Sequence, residues 1–199
     1  MGRRKILASM AFAVGVLLVA GLAGSAHAGT ANNTVKMPHY SVVIPSDQGW
    51  HLKTEGGSVE KAVATMKPGK GVIVEMQFMR NAILSDSLRA LSAADLAADF
   101  MALERRVMEQ EGVGKGAYTL SDVKIAEETH GEKTYHVMQY QTETKSSLQH
   151  AWLCLYIPKE TGNEAFIIAH FTVTAPQKSP PANDRYDQFA QVLASLQAW

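Results

Sequence analysis

KTYHVMQYQTET (Lys133–Thr144), LQHAWLCLYI (Leu148–Ile157) and AFIIAHFTVT (Ala165–Thr174) are three stretches rich in β-branched and aromatic residues. Only residues 145–147 separate the first two, and residues 158–164 separate the second from the third. Connections this short join antiparallel neighbours, because parallel strands need a long crossover. The sequence therefore predicts a three-stranded antiparallel meander, and this meander decides the fold.

The residues before the meander add strands to the predicted sheet. Pro68 and Gly69 lie between two apolar stretches and indicate a tight hairpin turn. His130 and Gly131 indicate another turn, immediately before the meander. The strands predicted on this basis are Tyr40–Pro45, Trp50–Thr54, Ala62–Met66, Val72–Met79 and Ser121–Glu127.

Residues 92–111 have the pattern of an amphipathic helix. Ser92 is a favourable N-cap, Asp95 follows it at capping-box spacing, and Gly112 is placed to end the helix. Apolar residues recur at intervals of three and four positions, which predicts one buried stripe, with Glu104 on the solvent side. The predicted stripe is Leu96, Phe100, Leu103 and Val107.

A second helix is predicted after the Pro-containing linker of residues 175–181, capped by Asn183 or Asp184. Its apolar stripe is Phe189, Val192 or Leu193, Leu196 and Trp199. The predicted fold class is therefore α+β, with an antiparallel sheet of six to eight strands flanked by two main helices. Residues 40–199 are predicted to form this single domain, and residues 29–39 a flexible leader.

The N-terminus has the three regions of a secretory signal peptide. Met1–Lys5 is basic, Ile6–Leu22 is apolar, and Ala26-His27-Ala28 offers small residues at the cleavage site. An uncleaved membrane anchor is the alternative, but the apolar stretch is short for a span and the cleavage site favours removal. We predict that residues 1–28 are a signal peptide, that the protein is periplasmic or secreted, and that it is not inserted in the membrane after cleavage.

The charge of the remaining chain argues against two classes of partner. Residues 29–199 keep all 19 acidic residues but lose three of the 19 basic ones, which gives a net charge of −3 with neutral histidines. No run of Lys or Arg is present. A mildly acidic domain without such a run is not expected to bind nucleic acid or an anionic lipid surface.

Two local motifs accompany this order of elements. One is Tyr40–Pro45 followed by Gly49-Trp50, and the other is YDQFAQVLASL (Tyr186–Leu196). Together they resemble the PsbP/Mog-like superfamily, and within it the bacterial periplasmic DcrB type. The resemblance covers residues 40–197, and Ser46-Asp47-Gln48 is a longer spacer than the family pattern has. It implies a sheet with helices on its faces, a non-enzymatic accessory role, and an envelope protein as partner.

The sequence contains no recognisable catalytic motif. Gly56–Glu60 lacks the second glycine of a nucleophile elbow, and His130 and His136 have the wrong spacing for a zinc protease. Gly112–Gly116 follows a helix, whereas a phosphate-binding loop opens one. We therefore predict that the protein is not an enzyme and has no cofactor.

One face of the meander carries unusual side chains. If the turn after Thr144 is centred on Ser146, alternation places seven side chains on one face: His136, Met138, Tyr140, His150, Trp152, Cys154 and Tyr156. His136, Tyr140, His150 and Trp152 are the candidate binding patch. The face of His170 stays open, because it depends on the length of the following turn.

Two interpretations of this face follow. Imidazole, thioether and thiol are ligands that copper prefers, which gives the alternative of a periplasmic soft-metal binding protein. The interpretation we favour is an aromatic core layer, because no ligand pair has a recognisable metal spacing, so no metal site is predicted. Cys154 is then a buried, unreactive thiol. The predicted function is an exported non-enzymatic binding or adaptor protein of the bacterial envelope.

Overall fold

The structure is a computed structural model, and it describes residues 33–45, 49–55, 60–159, 164–178 and 185–199. The predicted signal peptide (residues 1–28) and the predicted caps Asn183 and Asp184 lie outside the described residues. None of the described helices is long and apolar enough to cross a membrane.

Strands dominate the described residues. Their bounds are β1 (Asn33–Lys36), β2 (Tyr40–Ile44), β3 (His51–Glu55), β4 (Glu60–Gly69), β5 (Val72–Ala82), β6 (Thr119–His130), β7 (Lys133–Glu143), β8 (Ser147–Tyr156), β9 (Ala165–Pro176) and β10 (Gln197–Ala198). A seven-stranded antiparallel sheet has the order β3-β4-β5-β9-β8-β7-β6, and a smaller sheet has the order β1-β2-β10. The predicted α+β class, the strand number of the main sheet and the meander β7-β8-β9 are confirmed.

The predicted β4–β5 hairpin forms, but its turn is Lys70-Gly71 rather than Pro68-Gly69, because β4 continues to Gly69, which pairs with Val72. Gly71 has φ of 76° in that turn, a conformation that favours glycine. A Cβ at Gly71 would also stand 2.8 Å from Cγ of Pro176, at the end of β9. This turn therefore lies directly beside the end of the neighbouring strand.

The smaller sheet contains residues that the sequence predicts to be a flexible leader. Residues 33–36, which the sequence places in a flexible leader, pair with β2 as strand β1. Val35 is buried, because it packs with Val42 and Ile44 against the main sheet. The Tyr40 hydroxyl donates to the Phe78 carbonyl at 3.0 Å and links the two sheets.

The register between β7 and β8 differs from the prediction by one residue. Gln141 pairs with His150 and Val137 pairs with Cys154, so the turn is centred between Lys145 and Ser146. The Thr144 Oγ1 atom accepts from the Ser147 amide at 3.1 Å and tightens the turn. Because side chains alternate, this one-residue difference moves all of β8 to the other face relative to β7.

The main sheet is covered on both faces. The helices are α1 (Asp86–Arg89), α2 (Ala93–Val107) and α3 (Tyr186–Ser195). One face of the sheet, which we name the α3 face, packs against the smaller sheet and helix α3, and its core includes Tyr135, Val137, Trp152, Cys154 and Phe171. The other, which we name the α2 face, packs against α2 and α1, and its core includes Met138, Tyr140, Leu153, Leu155 and Ile168.

Helix α2 begins as predicted but buries a different stripe. The Ser92 Oγ atom accepts from the Asp95 amide at 3.1 Å, which confirms the cap. Phe100 is only half-buried, against Phe166, and Glu104 is buried rather than exposed. The prediction of the stripe is wrong by about one position of helix rotation, and the residues buried are Leu96, Ala97, Met101 and Glu104.

Gly112 does not end the helix. Residues 108–113 continue α2 as a π-helix, and Gly112 is buried within it. A side chain at Gly112 would overlap the ring of Tyr118, whose hydroxyl donates to the Met108 carbonyl at 3.2 Å. Gly112 is therefore required for close packing rather than for a left-handed conformation.

Helix α3 buries Phe189, Val192 and Leu193, with Leu196 immediately after it, as its spacing predicts. Trp199 is the exception, because 55% of it is exposed. Its indole N–H donates to the Pro38 carbonyl at 2.9 Å, which holds the residues after α3 against the start of β2.

Candidate functional site

The four residues of the predicted binding patch do not share a face. His136 and Tyr140 lie on the α2 face, whereas His150 and Trp152 lie on the α3 face. The one-residue register difference is the physical reason. The predicted patch is therefore not formed as a unit.

On the α3 face, Trp152 is a core residue. Its ring stacks on Tyr186 at 5.0 Å between centroids and contacts Phe171 at 5.5 Å. His150 lies 6.4 Å from the Trp152 ring, at the edge of this aromatic layer. These contacts agree with the core interpretation of this side of the sheet.

The same register difference places the ligands of the soft-metal alternative on opposite faces of the sheet. Met138 lies in the core under α2, and Cys154 lies in the core under α3. Within the described residues, no group of three His, Cys, Asp or Glu side chains is placed to hold a metal ion. The His136 imidazole instead lies 3.4 Å from a carboxylate oxygen of Glu127 on the neighbouring strand.

Cys154 is fully buried in mid-strand. Burial raises the pKa of its thiol well above the ordinary value, and the charge of Glu128 raises it further. Little thiolate therefore forms at neutral pH, and the thiol is a weak nucleophile.

A polar cluster lies beneath α2 and is the candidate site. His170 settles the open question of its face, because it pairs with Leu153 and projects toward α2. The Tyr140 hydroxyl and His170 Nε2 are 2.9 Å apart, and the two rings stack at 6.2 Å. Burial lowers the pKa of His170 to about 4, so its imidazole is neutral at pH 7.

Glu104 enters the same cluster from the helix. It is only 4% exposed, and burial raises the pKa of its carboxyl to about 7. Burial also raises the pKa of Tyr140, as do the nearby acidic groups of Tyr118 and Glu104. We name Glu104, Tyr118, Tyr140 and His170 the α2 cluster.

The α2 cluster contains one group that titrates near neutral pH. Tyr140 keeps its proton and His170 stays neutral at pH 7, whereas Glu104 exchanges a proton there. The π-helix follows at once after α2, and such segments are frequent at functional sites. The cluster can therefore hold or release one proton beneath a helix.

A second polar cluster lies on the α3 face, near the β6–β7 turn. Oxygen Oε2 of Glu128 accepts from the Tyr186 hydroxyl and lies 3.1 Å from His130 Nε2. Burial raises the pKa of Tyr186, and the nearby Cys154 and Glu128 raise it further. This cluster joins the first turn of α3 to β6.

The backbone is similar to the solution structure of CyanoP, the cyanobacterial PsbP of Synechocystis sp. PCC 6803. The TM-score is 0.52, over 89% of this chain and 99% of that chain, at 16% sequence identity. The fold is PsbP-like. This confirms the resemblance at the level of the fold, while the narrower DcrB type stays a prediction.

Two further structures have lower similarity, and no conclusion is drawn from either. Protein PA94 from Pseudomonas aeruginosa has a TM-score of 0.40 at 15% identity, covering 85% of this chain and 99% of that chain. LpqN from Mycobacterium tuberculosis, which is involved in cell envelope biogenesis, has a TM-score of 0.36 at 11% identity, covering 84% and 90%. No protein-family model matches the chain, and no curated protein matches its sequence.

Within the PsbP-like fold, two features hide the α2 cluster from a prediction based on sequence. The face of His170 depends on the length of the turn before β9, and the apolar spacing of the helix predicts Glu104 on the solvent side. A stripe through Leu96, Met101 and Met108 would have placed Glu104 inside. The spacing of Leu96, Phe100, Leu103 and Val107 is more regular, but the stripe that it predicts is not the one that the helix buries.

Proposed function

We propose that this chain is an exported, non-enzymatic binding or adaptor protein of the bacterial cell envelope. The signal-peptide pattern of residues 1–28 supports export. The PsbP-like fold supports an accessory role, because the resemblance implies subunits of larger assemblies. The observation that carries the proposal is that helices or the smaller sheet cover both faces of the main sheet.

The interior of the fold offers little room for a substrate. A shallow groove between the smaller sheet and β3–β4, lined by side chains such as Val35, Ile44, Leu52 and Phe78, has no room for even a water molecule. Small-molecule pockets are generally about 300–1,000 Å³. A surface that contacts a partner fits this protein better than a pocket that encloses a ligand.

The titratable groups lie under the helix rather than in a cleft. Glu104 and Tyr140 are each 4% exposed, so a substrate could reach them only if α2 moved away. A reacting group must come within hydrogen-bond reach of its acid or base. This placement supports a binding role over a catalytic one.

Crosslinking in intact cells, followed by purification from the envelope fraction, tests the proposal. We expect one envelope protein to be recovered in stoichiometric amount with the full-length chain. A chain lacking residues 1–28 is the control, because it should stay in the cytoplasm and recover none. Recovery of the exported protein without any stoichiometric partner would contradict the adaptor role.

A further inference from the structure

Four lysines that are distant in sequence lie at one end of the main sheet. Lys67 and Lys70 belong to the β4–β5 hairpin, Lys145 to the β7–β8 turn, and Lys178 follows β9. The order β4-β5-β9-β8-β7 makes these elements neighbours. We name these four residues the lysine end.

Contacts between the turns hold the lysine end together. The Gln177 amide donates to the Ser146 carbonyl at 3.2 Å, and its side chain donates to the Thr144 carbonyl at 2.7 Å. Gly71 lies against Pro176 at the end of β9. The hairpin, the turn and the end of β9 therefore form one continuous rim.

The lysine end is exposed, and its positive charge is only partly balanced by acidic residues. All four lysines are exposed, and the ion pairs within the described part of the chain involve other residues. The carboxylate of Glu143 lies on the same rim, where it accepts from the Gln177 side chain at 2.8 Å. The rim therefore keeps a clear excess of positive charge on a chain whose residues 29–199 are net negative.

The opposite end of the sheet has no such excess of positive charge. Its strand ends and turns carry acidic residues beside a similar number of basic ones: Glu55, Glu60, Glu128, Glu132 and Glu164 against Lys53, Lys61, Arg80, Lys133 and Lys159. Such an asymmetry orients a charged partner as it approaches. A partner with an acidic surface would thus meet the lysine end first.

We infer that the lysine end binds an acidic segment of the protein partner, an inference that rests on the proposed adaptor function. Five neighbouring strands carry the rim, and at about 4.8 Å between strands the rim is about 19 Å long. An extended segment of about six residues spans the same length. An acidic peptide in extended form therefore matches the rim in both length and charge.

An anionic membrane is a poorer match for this surface. Interfacial segments add aromatic or large aliphatic anchors to their basic residues. The rim segments KPGKG (67–71), TKS (144–146) and QK (177–178) contain none. The net negative charge of the rest of the chain would also be repelled by anionic lipid.

Fluorescence anisotropy with a labelled hexaglutamate peptide tests the inference. The test variant carries Lys67→Gln, Lys70→Gln, Lys145→Gln and Lys178→Gln. The matched control carries Lys36→Gln, Lys124→Gln, Lys133→Gln and Lys159→Gln, which removes the same charge elsewhere. Circular dichroism verifies that both variants fold.

We expect the unmodified protein to bind the peptide at low ionic strength and to lose affinity in physiological salt. Affinity should fall about tenfold or more in the test variant and stay within about twofold in the control. Equal losses in both variants, or no binding by the unmodified protein, would overturn the inference. Binding to phosphatidylglycerol vesicles without binding to the peptide would overturn it in favour of a membrane surface.

The envelope crosslinking experiment separates this inference from the proposed function. If the test variant recovers the envelope partner as well as the unmodified protein does, the lysine end is not the binding surface, although the adaptor role stands. If the unmodified protein recovers no partner, the adaptor role fails even where the peptide binds. Loss of the partner in the test variant but not in the control supports both.

Discussion

Glu104 shows how one side chain can make the stability of the fold depend on pH. A carboxyl buried under a helix holds its proton more strongly than the same group in the unfolded chain. Its pKa rises from 4.5 to about 7 for that reason. Among the hydrogen bonds of the described residues, none involves its carboxyl group, so no donor compensates the charge when the proton leaves.

The raised pKa of Glu104 predicts that the contribution of this side chain to folding stability falls as pH rises. Protonated Glu104 favours the folded state fully below pH 4.5, and this contribution is lost as pH rises through about 7. At 1.36 kcal/mol per pKa unit, the loss is about 3 kcal/mol by pH 8. Glu104→Gln should abolish it and stabilise the protein at pH 8, as measured by urea unfolding at pH 5 and pH 8. Asp99→Asn, exposed on the same helix, is the control and should change nothing.

The same comparison states what would contradict this expectation. If unmodified protein and Glu104→Gln lose equal stability between the two pH values, Glu104 is not the titrating group. His170 cannot mimic the effect, because its pKa is lowered from 6.5 to about 4, so its contribution to stability rises with pH over that range, and it does so equally in both proteins.

Cys154 yields a second prediction at the same scale. Its thiol is fully buried with a raised pKa, so a thiol reagent should label it only when the protein unfolds. The control is Thr129→Cys in a Cys154→Ala background, which places a thiol on exposed β6. Labelling of Cys154 in the native protein as fast as of the Thr129→Cys control would show that the thiol is accessible.

At the scale of elements, the sequence predicts the strands and hairpins. It does not predict which face of helix α2 is buried, nor the register between β7 and β8. Pro68-Gly69 and the short connections of the meander determine which strands pair. The spacing of Leu96, Phe100, Leu103 and Val107 fits a helix, yet helix rotation depends on what the sheet presents. A turn one residue tighter than expected separated His136 and Tyr140 from His150 and Trp152.

Alanine substitutions in α2 show which face of this helix is buried. Met101 is 1% exposed, so Met101→Ala should cost about 2–5 kcal/mol of unfolding free energy. Leu103→Ala should cost less because Leu103 is half-buried, and exposed Arg106→Ala should cost less than about 0.5 kcal/mol. Urea unfolding of the three variants gives the order. A larger cost for Leu103→Ala than for Met101→Ala would restore the stripe predicted from sequence.

For the whole molecule, the distribution of charge over the folded surface is the property that the sequence predicts least well. Residues 29–199 contain no run of basic residues, but the order of strands assembles Lys67, Lys70, Lys145 and Lys178 on one rim. Long-range strand pairing produces this arrangement, and no local pattern records it. The α+β class, by contrast, follows from local patterns alone, because hairpins and amphipathic helices are local features.

Export is the prediction that concerns the whole chain. If residues 1–28 are a signal peptide, the mature protein begins at Gly29 and is released by osmotic shock. Intact mass and N-terminal sequencing check the cleavage point. Ala28→Trp should block processing, because the peptidase accepts small residues at that position. Retention of Met1 in the unmodified exported protein would contradict the prediction.

Pairing between β2 and β10 has a consequence for the order in which the chain folds. Tyr40 pairs with Ala198, so the smaller sheet closes only after almost the whole chain has been synthesised. Contacts so distant in sequence form slowly, because a large loop must close first. A nascent chain is thus kept from completing its fold early, which would favour the proposed export, since a chain that has not folded can be threaded through a membrane. Ribosome-arrested chains of increasing length should become fully protease-resistant only once residue 198 has left the exit tunnel.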